Sequence, residues 1–172
     1  MKVAGAIAAL MLALVLQTTL AQVLVRGTAA LDLVLVVVVY VSLSSGAATG
    51  LLAGAAAGLA QDALSSGVLG IGGLAKTVVG FLTGLLATQF IVARALPRFV
   101  VFFAATLLHA VVFMGLYELL GLRDFGRPLE GVLSQGLANA LVGIMAFQAI
   151  ELVPGALQRR AANRNRVSRR LG

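Results

Sequence analysis

The residues able to do chemistry are few and scattered. Asp62, Lys76, His109, Gln135 and Asn139 stand inside or beside long apolar runs. A charged or amide side chain is rare in such runs and faces a bundle interior or a water-filled space. Asp62 ends one run and Lys76 begins the next, with a glycine-rich stretch between them. If the two runs form an antiparallel hairpin, a pair between Asp62 and Lys76 would pin the 63–75 loop; a ligand or proton role for Asp62 is the alternative. His109 is the only histidine and shares a helical face with Thr106, Phe113 and Tyr117. Gln135, Asn139 and Gly143 follow at i, i+4 and i+8, which places them on one helix face. Amides there act as hydrogen-bonding glue between helices. His109, Gln135 and Asn139 together would line a small polar cavity, the best seed for a binding site. A hydrogen-bonded bundle histidine is the simpler reading of His109, against a proton relay or a ligand contact.

None of these residues assembles into a catalytic set. Cysteine is absent, which excludes disulfides, thiolate metal sites and cysteine nucleophiles. The carboxylates that could join His109 at a metal, Glu118 and Glu151, lie toward opposite ends of their runs. There is no Walker loop, no paired-carboxylate arrangement and no metal-ligand spacing. Gly70-x-Gly72-Gly73 lacks the βαβ surroundings of a dinucleotide fingerprint. The expectation is a non-enzyme with no catalytic residue, no cofactor and no metal.

The elements that must hold these residues are set by composition. Hydrophobic residues make up 60% of the chain and charged residues 11%, against about 25% charged in soluble domains. With 172 residues there is too little polar surface to cover a water-soluble globule, so lipid must be the solvent for most of the chain. A spanning helix needs about 20 apolar residues, and backbone polar groups in lipid must be satisfied within the segment. On that ruler the candidate spans are 3–25, 31–44, 47–64, 74–93, 99–121 and 130–156, an all-α membrane bundle of six transmembrane helices over residues 1–157. The second is short, and Ser44-Ser45-Gly46 alone separates it from the third; a tight helical hairpin is favoured over one long broken helix. The first run is longer than a secretory h-region and lacks a small-x-small cleavage site, so it reads as a retained helix. Pro154-Gly155 is expected to end the last helix before the tail.

Charge sets the orientation. Six spans put both termini on one side, together with Lys2, Arg94, Arg98 and the arginines of the tail, 158–172: Arg159, Arg160, Arg164, Arg166, Arg169 and Arg170. The other side holds Arg26, Lys76, Arg123 and Arg127. Nine against four places both termini in the cytoplasm. The tail accounts for the net charge of +7, because without it basic and acidic residues nearly balance. A polybasic segment beside a membrane gains about 1 kcal/mol per Lys or Arg from anionic lipid. The expected contact is therefore the inner leaflet or an acidic partner, or the tail is simply a topology anchor. It lacks the aromatic residues on which nucleic acid bases stack, so no nucleic acid is expected.

The third span carries the clearest pattern. Gly46, Gly50, Gly54 and Gly58 recur every fourth residue with Asp62 at the next step, and Gly72, Lys76, Gly80, Gly84 and Thr88 repeat the device in the fourth. Glycines on one face let a neighbouring backbone approach closely. Two readings stand: the stripes pack spans three and four against each other, or one of them also receives a partner's helix.

At this point the residues resemble a family. Asp32 heads span two before Leu33-Val34-Leu35-Val36. The glycine-rich span ends Gly54-Ala55-Ala56-Ala57-Gly58-Leu59-Ala60-Gln61-Asp62-Ala63-Leu64-Ser65-Ser66-Gly67, then runs through Leu69-Gly70-Ile71-Gly72-Gly73-Leu74 to Val79-Gly80-Phe81-Leu82-Thr83-Gly84. This central hairpin is similar to that of the MreD family, as are the length, the spans and the basic end; Leu31 stands where the family often has proline. The resemblance implies a non-catalytic inner-membrane component of the bacterial cell-elongation machinery, or elongasome, acting in cell shape and peptidoglycan synthesis. It implies direct binding of MreC in the membrane and indirect association with MreB, RodA and a class B transpeptidase. The family fold is also said to resemble the substrate-binding subunits of energy-coupling-factor transporters, so a small-molecule-binding membrane subunit is the alternative.

Overall fold

The structure is a computed structural model that describes residues 3–23, 31–65, 67–89, 95–126 and 128–168, with side chains described to residue 19 in the first segment, to 88 in the third and to 150 in the last. Among them there are six helices and no strand: α1 (Val3–Val23), α2 (Leu33–Ser45), α3 (Ala47–Leu64), α4 (Ile71–Gln89), α5 (Ala95–Leu119) and α6 (Leu129–Ser168). Three stretches are long and apolar enough to cross a membrane, Ile71–Thr88, Ala95–Leu119 and Leu129–Ile150, and Val3–Thr19 and Leu33–Ser45 are shorter apolar helices. The chain is an all-α membrane protein.

Each helix runs against the one before it. Ala6 packs near Val41 and Ala13 near Val34, which fixes α1 antiparallel to α2. Val41 with Ala53 and Val38 with Ala57 do the same for α2 and α3. The short second run is thus one arm of a helical hairpin and not part of a broken helix. Gly46 makes the reversal: it has φ +86°, a conformation glycine adopts without the Cβ penalty. Its amide still bonds to Ser42 O and its carbonyl accepts from Gly50 N, so a single residue both ends α2 and starts α3.

α2 is the centre of the bundle. Its sequence, LVLVVVVYVSLSS, is apolar on every side, as expected of a helix with no solvent face. Val34, Leu35, Val36, Val38, Val39, Val41 and Ser42 are buried, and all five other helices touch it. Thirteen residues make a helix about 20 Å long, shorter than the roughly 30 Å hydrocarbon layer. Its ends therefore have to be satisfied by protein. At the start Asp32 caps Leu35 N with Oδ1 at 2.9 Å. The Gln17 amide clamps the segment before it, donating to Leu31 O at 2.7 Å and accepting from Leu33 N at 2.8 Å. At the far end Ser42 Oγ donates to Val38 O at 2.6 Å.

α5 ends in a glycine-terminated turn: Gly121, at φ +63°, donates to Glu118 O and Leu122 N donates to Tyr117 O, which satisfies two of the last carbonyls. α6 differs from expectation. It continues through Pro154 to Ser168, because a proline removes one intrahelical bond without forbidding the turns beyond it, and Ala, Gln and Arg there are good helix formers. The side chains of Arg159, Arg160, Arg164 and Arg166, and Arg169 and Arg170 altogether, lie outside the described residues.

Candidate functional site

The glycine ladder positions the site. α3 and α4 lie so close that a Cβ at Gly50 would enter the backbone of Gly80, one at Gly54 the backbone of Lys76 and Thr77, and one at Gly58 that of Gly72 and Gly73. Gly84 meets Ala47 and Gly46 in the same way. The two stripes fill one another, so the expectation that one of them also takes a partner's helix is corrected: α4 occupies that surface of α3. The other reading, that spans three and four pack against each other, is the arrangement seen: the pattern is a weld inside the molecule.

That weld fixes Lys76 in the core, where it is 2% exposed. Here a second expectation is corrected. Lys76 pairs with Asp32, Nζ to Oδ2 at 2.8 Å, and not with Asp62. The reason is geometric: α2 and α4 run parallel, Asp32 stands just before α2 and Lys76 in the second turn of α4, so the two reach the same level. Asp62 instead turns to the loop, its Oδ2 accepting from Gly70 N at 2.9 Å and Gly73 N at 3.0 Å. A carboxylate from the end of α3 thus satisfies a first-turn amide of α4, where helix N–H groups have no intrahelical partner and negative charge is favoured. Asp62 does pin the loop, but through backbone amides.

The ion pair is the hub of a larger network. Lys76 Nζ also lies 3.2 Å from His109 Nε2. An ammonium has only donors, so a charged Lys76 makes Nε2 the acceptor and leaves the ring proton on Nδ1. The Asp32 amide donates to Asn139 Oδ1 at 3.0 Å, and Asn139 Nδ2 donates to Thr106 Oγ1 at 3.2 Å. Asp32, Lys76, Thr106, His109 and Asn139 are all buried and come from the α2 entry, α4, α5 and α6. His109 and Asn139, expected to share a polar surface, do belong to one network, but Asp32 and Lys76 join them and the groups face one another. Gln135, the third residue expected there, is half-buried one turn nearer the start of α6.

From His109 an aromatic column climbs α5. Its ring stacks on Phe113 at 5.7 Å, Phe113 meets Tyr117 at 4.9 Å, and both meet Phe125 beyond the helix end. Tyr117 Oη then accepts from Val68 N at 3.1 Å, tying α5 to the α3–α4 loop. Asp32 was legible as the head of span two but not as the partner of Lys76. The available signal was that spans two and four enter from the same end, which puts an acid and a base at matching depth.

A fully buried ion pair is weak evidence for stability, since desolvation offsets its attraction. Within a membrane bundle such residues are retained for a structural or functional reason. Among the described residues the polar groups of this network join α2, α4, α5 and α6 to one another. Over residues 3–147 the sequence matches the family described as rod shape-determining protein MreD. No curated protein and no solved structure matches it. The matched stretch takes in α1 to α5, the first half of α6 and every residue of the buried network, and the chain belongs to the MreD family of rod shape-determining membrane proteins.

Proposed function

We propose that the chain is a non-catalytic, multi-pass component of the bacterial cell-elongation complex, set in the inner membrane with six spans and both termini in the cytoplasm. It binds MreC through the membrane and so helps organise peptidoglycan synthesis for cell shape, reaching MreB, RodA and a class B transpeptidase only indirectly. The observation that carries this reading is the family match over residues 3–147. Two features of the bundle support it. The chain reverses at each connection, so its first helix begins and its last helix ends on one side, as the arginine-rich tail and the positive-inside rule require. Asp32, Lys76, His109, Asn139 and Thr106 are spent on one another, which favours a scaffold over a small-molecule carrier.

With the α3–α4 stripes filled, a partner's helix must dock on side chains that face outward. Leu52 on α3, Val111 on α5 and Leu141 and Met145 on α6 are such positions, each more than half exposed. The test is affinity purification from membranes that co-express MreC, with each of these residues changed in turn to tryptophan. MreC should co-purify with the unchanged chain and be lost at one face while the bundle keeps its melting temperature. If MreC fails to co-purify with the unchanged chain, the partner reading is wrong.

A further inference from the structure

α6 outlasts every other helix at one end of the bundle. Asn139 meets Thr106, Gly143 meets Phe102 and Phe147 meets Arg98, one antiparallel register that sets Ile150 level with Ala95, where α5 begins. Asp32 meets Asn139 and Tyr40 meets Phe147, so Ser45, the end of α2, is level with position 152. Lys76 stands level with Asp32, which puts Gln89, the end of α4, at the same height. Ala47 lies against Gly84 and Ala6 near Val41, so α3 and α1 begin near it too. Among the described residues no other helix reaches further, while α6 runs on to Ser168, about 24 Å beyond at 1.5 Å per residue.

The extension is basic on one side. By helical register, Arg159, Arg160, Arg164 and Arg166 fall within an arc of about 160°. Gln158, Ala161, Ala162, Asn165 and Ser168 take positions on the other side. A helix that lies in a membrane interface needs Trp, Phe or Leu opposite its charges, and none stands there. Distance weakens a purely electrostatic hold on lipid as well. Arg164 and Arg166 are about 18 and 21 Å past the end of the bundle. The headgroup layer adds only about 5–7 Å to the hydrocarbon, and the leaflet's potential dies away over about 8 Å at physiological ionic strength. Arg160 and Arg164, four residues apart, repel one another on the helix. Continuation from a formed span removes the need for nucleation, but only an anionic counterpart relieves that repulsion.

We propose that residues 153–168 are a basic helical stalk that docks, through the arc of Arg159, Arg160, Arg164 and Arg166, on an acidic face of a cytoplasmic protein. This rests on the reading that both termini are cytoplasmic. The stalk holds its partner about 20 Å off the inner leaflet, where protein carboxylates and not lipid phosphates are the anions within reach. Charge complementarity gives such a contact its orientation and its rate of encounter.

The chain has no cysteine, so Val167→Cys, at a position inside the arc, takes a single nitroxide label. The full chain is placed in nanodiscs of phosphatidylcholine, with and without phosphatidylglycerol. The label should collide freely with a water-soluble nickel chelate in both. Loss of that access in either lipid means that the stalk lies on the membrane, and it overturns the proposal. The docking probe is a fluorescent synthetic helix with glutamates along one face, added to unlabelled phosphatidylcholine nanodiscs at physiological ionic strength. It should bind the unchanged chain. Arg164→Asn with Asn165→Arg keeps the composition but spreads the arginines around the helix, and it should weaken binding several-fold. Absence of binding to the unchanged chain, or equal binding to the exchanged one, overturns the proposal. Nanodiscs expose both faces and hold no MreC, so either outcome leaves the orientation and the membrane partner to their own tests.

Discussion

Asp32 Oδ2 lies 2.8 Å from Lys76 Nζ across 44 residues of sequence, in the core of a membrane bundle, with the two side chains 7% and 3% exposed. Removing one partner leaves the other buried and uncompensated, which costs about 3–5 kcal/mol in protein interiors. Lys76→Met or Asp32→Asn alone should therefore lower the melting temperature in detergent sharply. The double variant Asp32→Asn/Lys76→Met should recover much of the loss, because neither residue is then charged. Single-variant losses that simply add in the double would show that the pair is not coupled.

Gly54 and Gly115 separate close approach from helix propensity. A Cβ at Gly54 enters the Lys76 backbone, and one at Gly115 meets nothing within 4 Å. Gly54→Ala should be destabilising by about 1–3 kcal/mol, the ordinary range for overpacking, because backbone cannot swing aside as a side chain can. Gly115→Ala should be neutral or mildly stabilising. Thermal melts of the two variants side by side check both.

Gly46 isolates backbone strain. Nothing lies within 4 Å of its added Cβ, yet its φ is +86°. Gly46→Ala should cost about 1–3 kcal/mol from its backbone conformation alone, φ +86° with ψ 179°, a region essentially reserved for glycine, with no change in the α3–α4 contact. A variant as stable as the parent would mean that the α2–α3 reversal adjusts freely.

Asp62 holds the α3–α4 loop through two amides. Asp62→Ala leaves Gly70 N and Gly73 N without that acceptor, a loss of about 1–3 kcal/mol for groups that water does not replace. The effect should be local: faster hydrogen exchange over residues 67–73, with α5 and α6 unchanged. Asp62→Asn keeps one oxygen acceptor and should fall between the two.

Much of the fold was legible in the residues. Apolar runs of spanning length predicted all-helical structure, and the glycine register predicted a close backbone approach but not whose backbone it would be; the structure puts α4 there. Ser44-Ser45-Gly46 predicted the hairpin, since a helix followed at once by another needs a residue that reverses the chain without a Cβ. The candidate site was legible only in parts. His109, Asn139 and Lys76 each stood out as polar in apolar surroundings and Asp32 only as the head of span two, and residue type does not say which partner a side chain reaches.

What the sequence determined by itself was solvent and secondary structure: lipid around the chain, helices within it, and glycine where two backbones meet. What only the tertiary structure decided was partnership and burial. α2 reads as apolar on every side whether it lies in lipid or in protein, because hydropathy cannot tell a hydrocarbon neighbour from a leucine; it is the packing of five helices around it that makes α2 the core. The same packing brings Asp32 level with Lys76 and turns Asp62 to the loop, because helix direction and depth, not nearness in the chain, decide which charges meet.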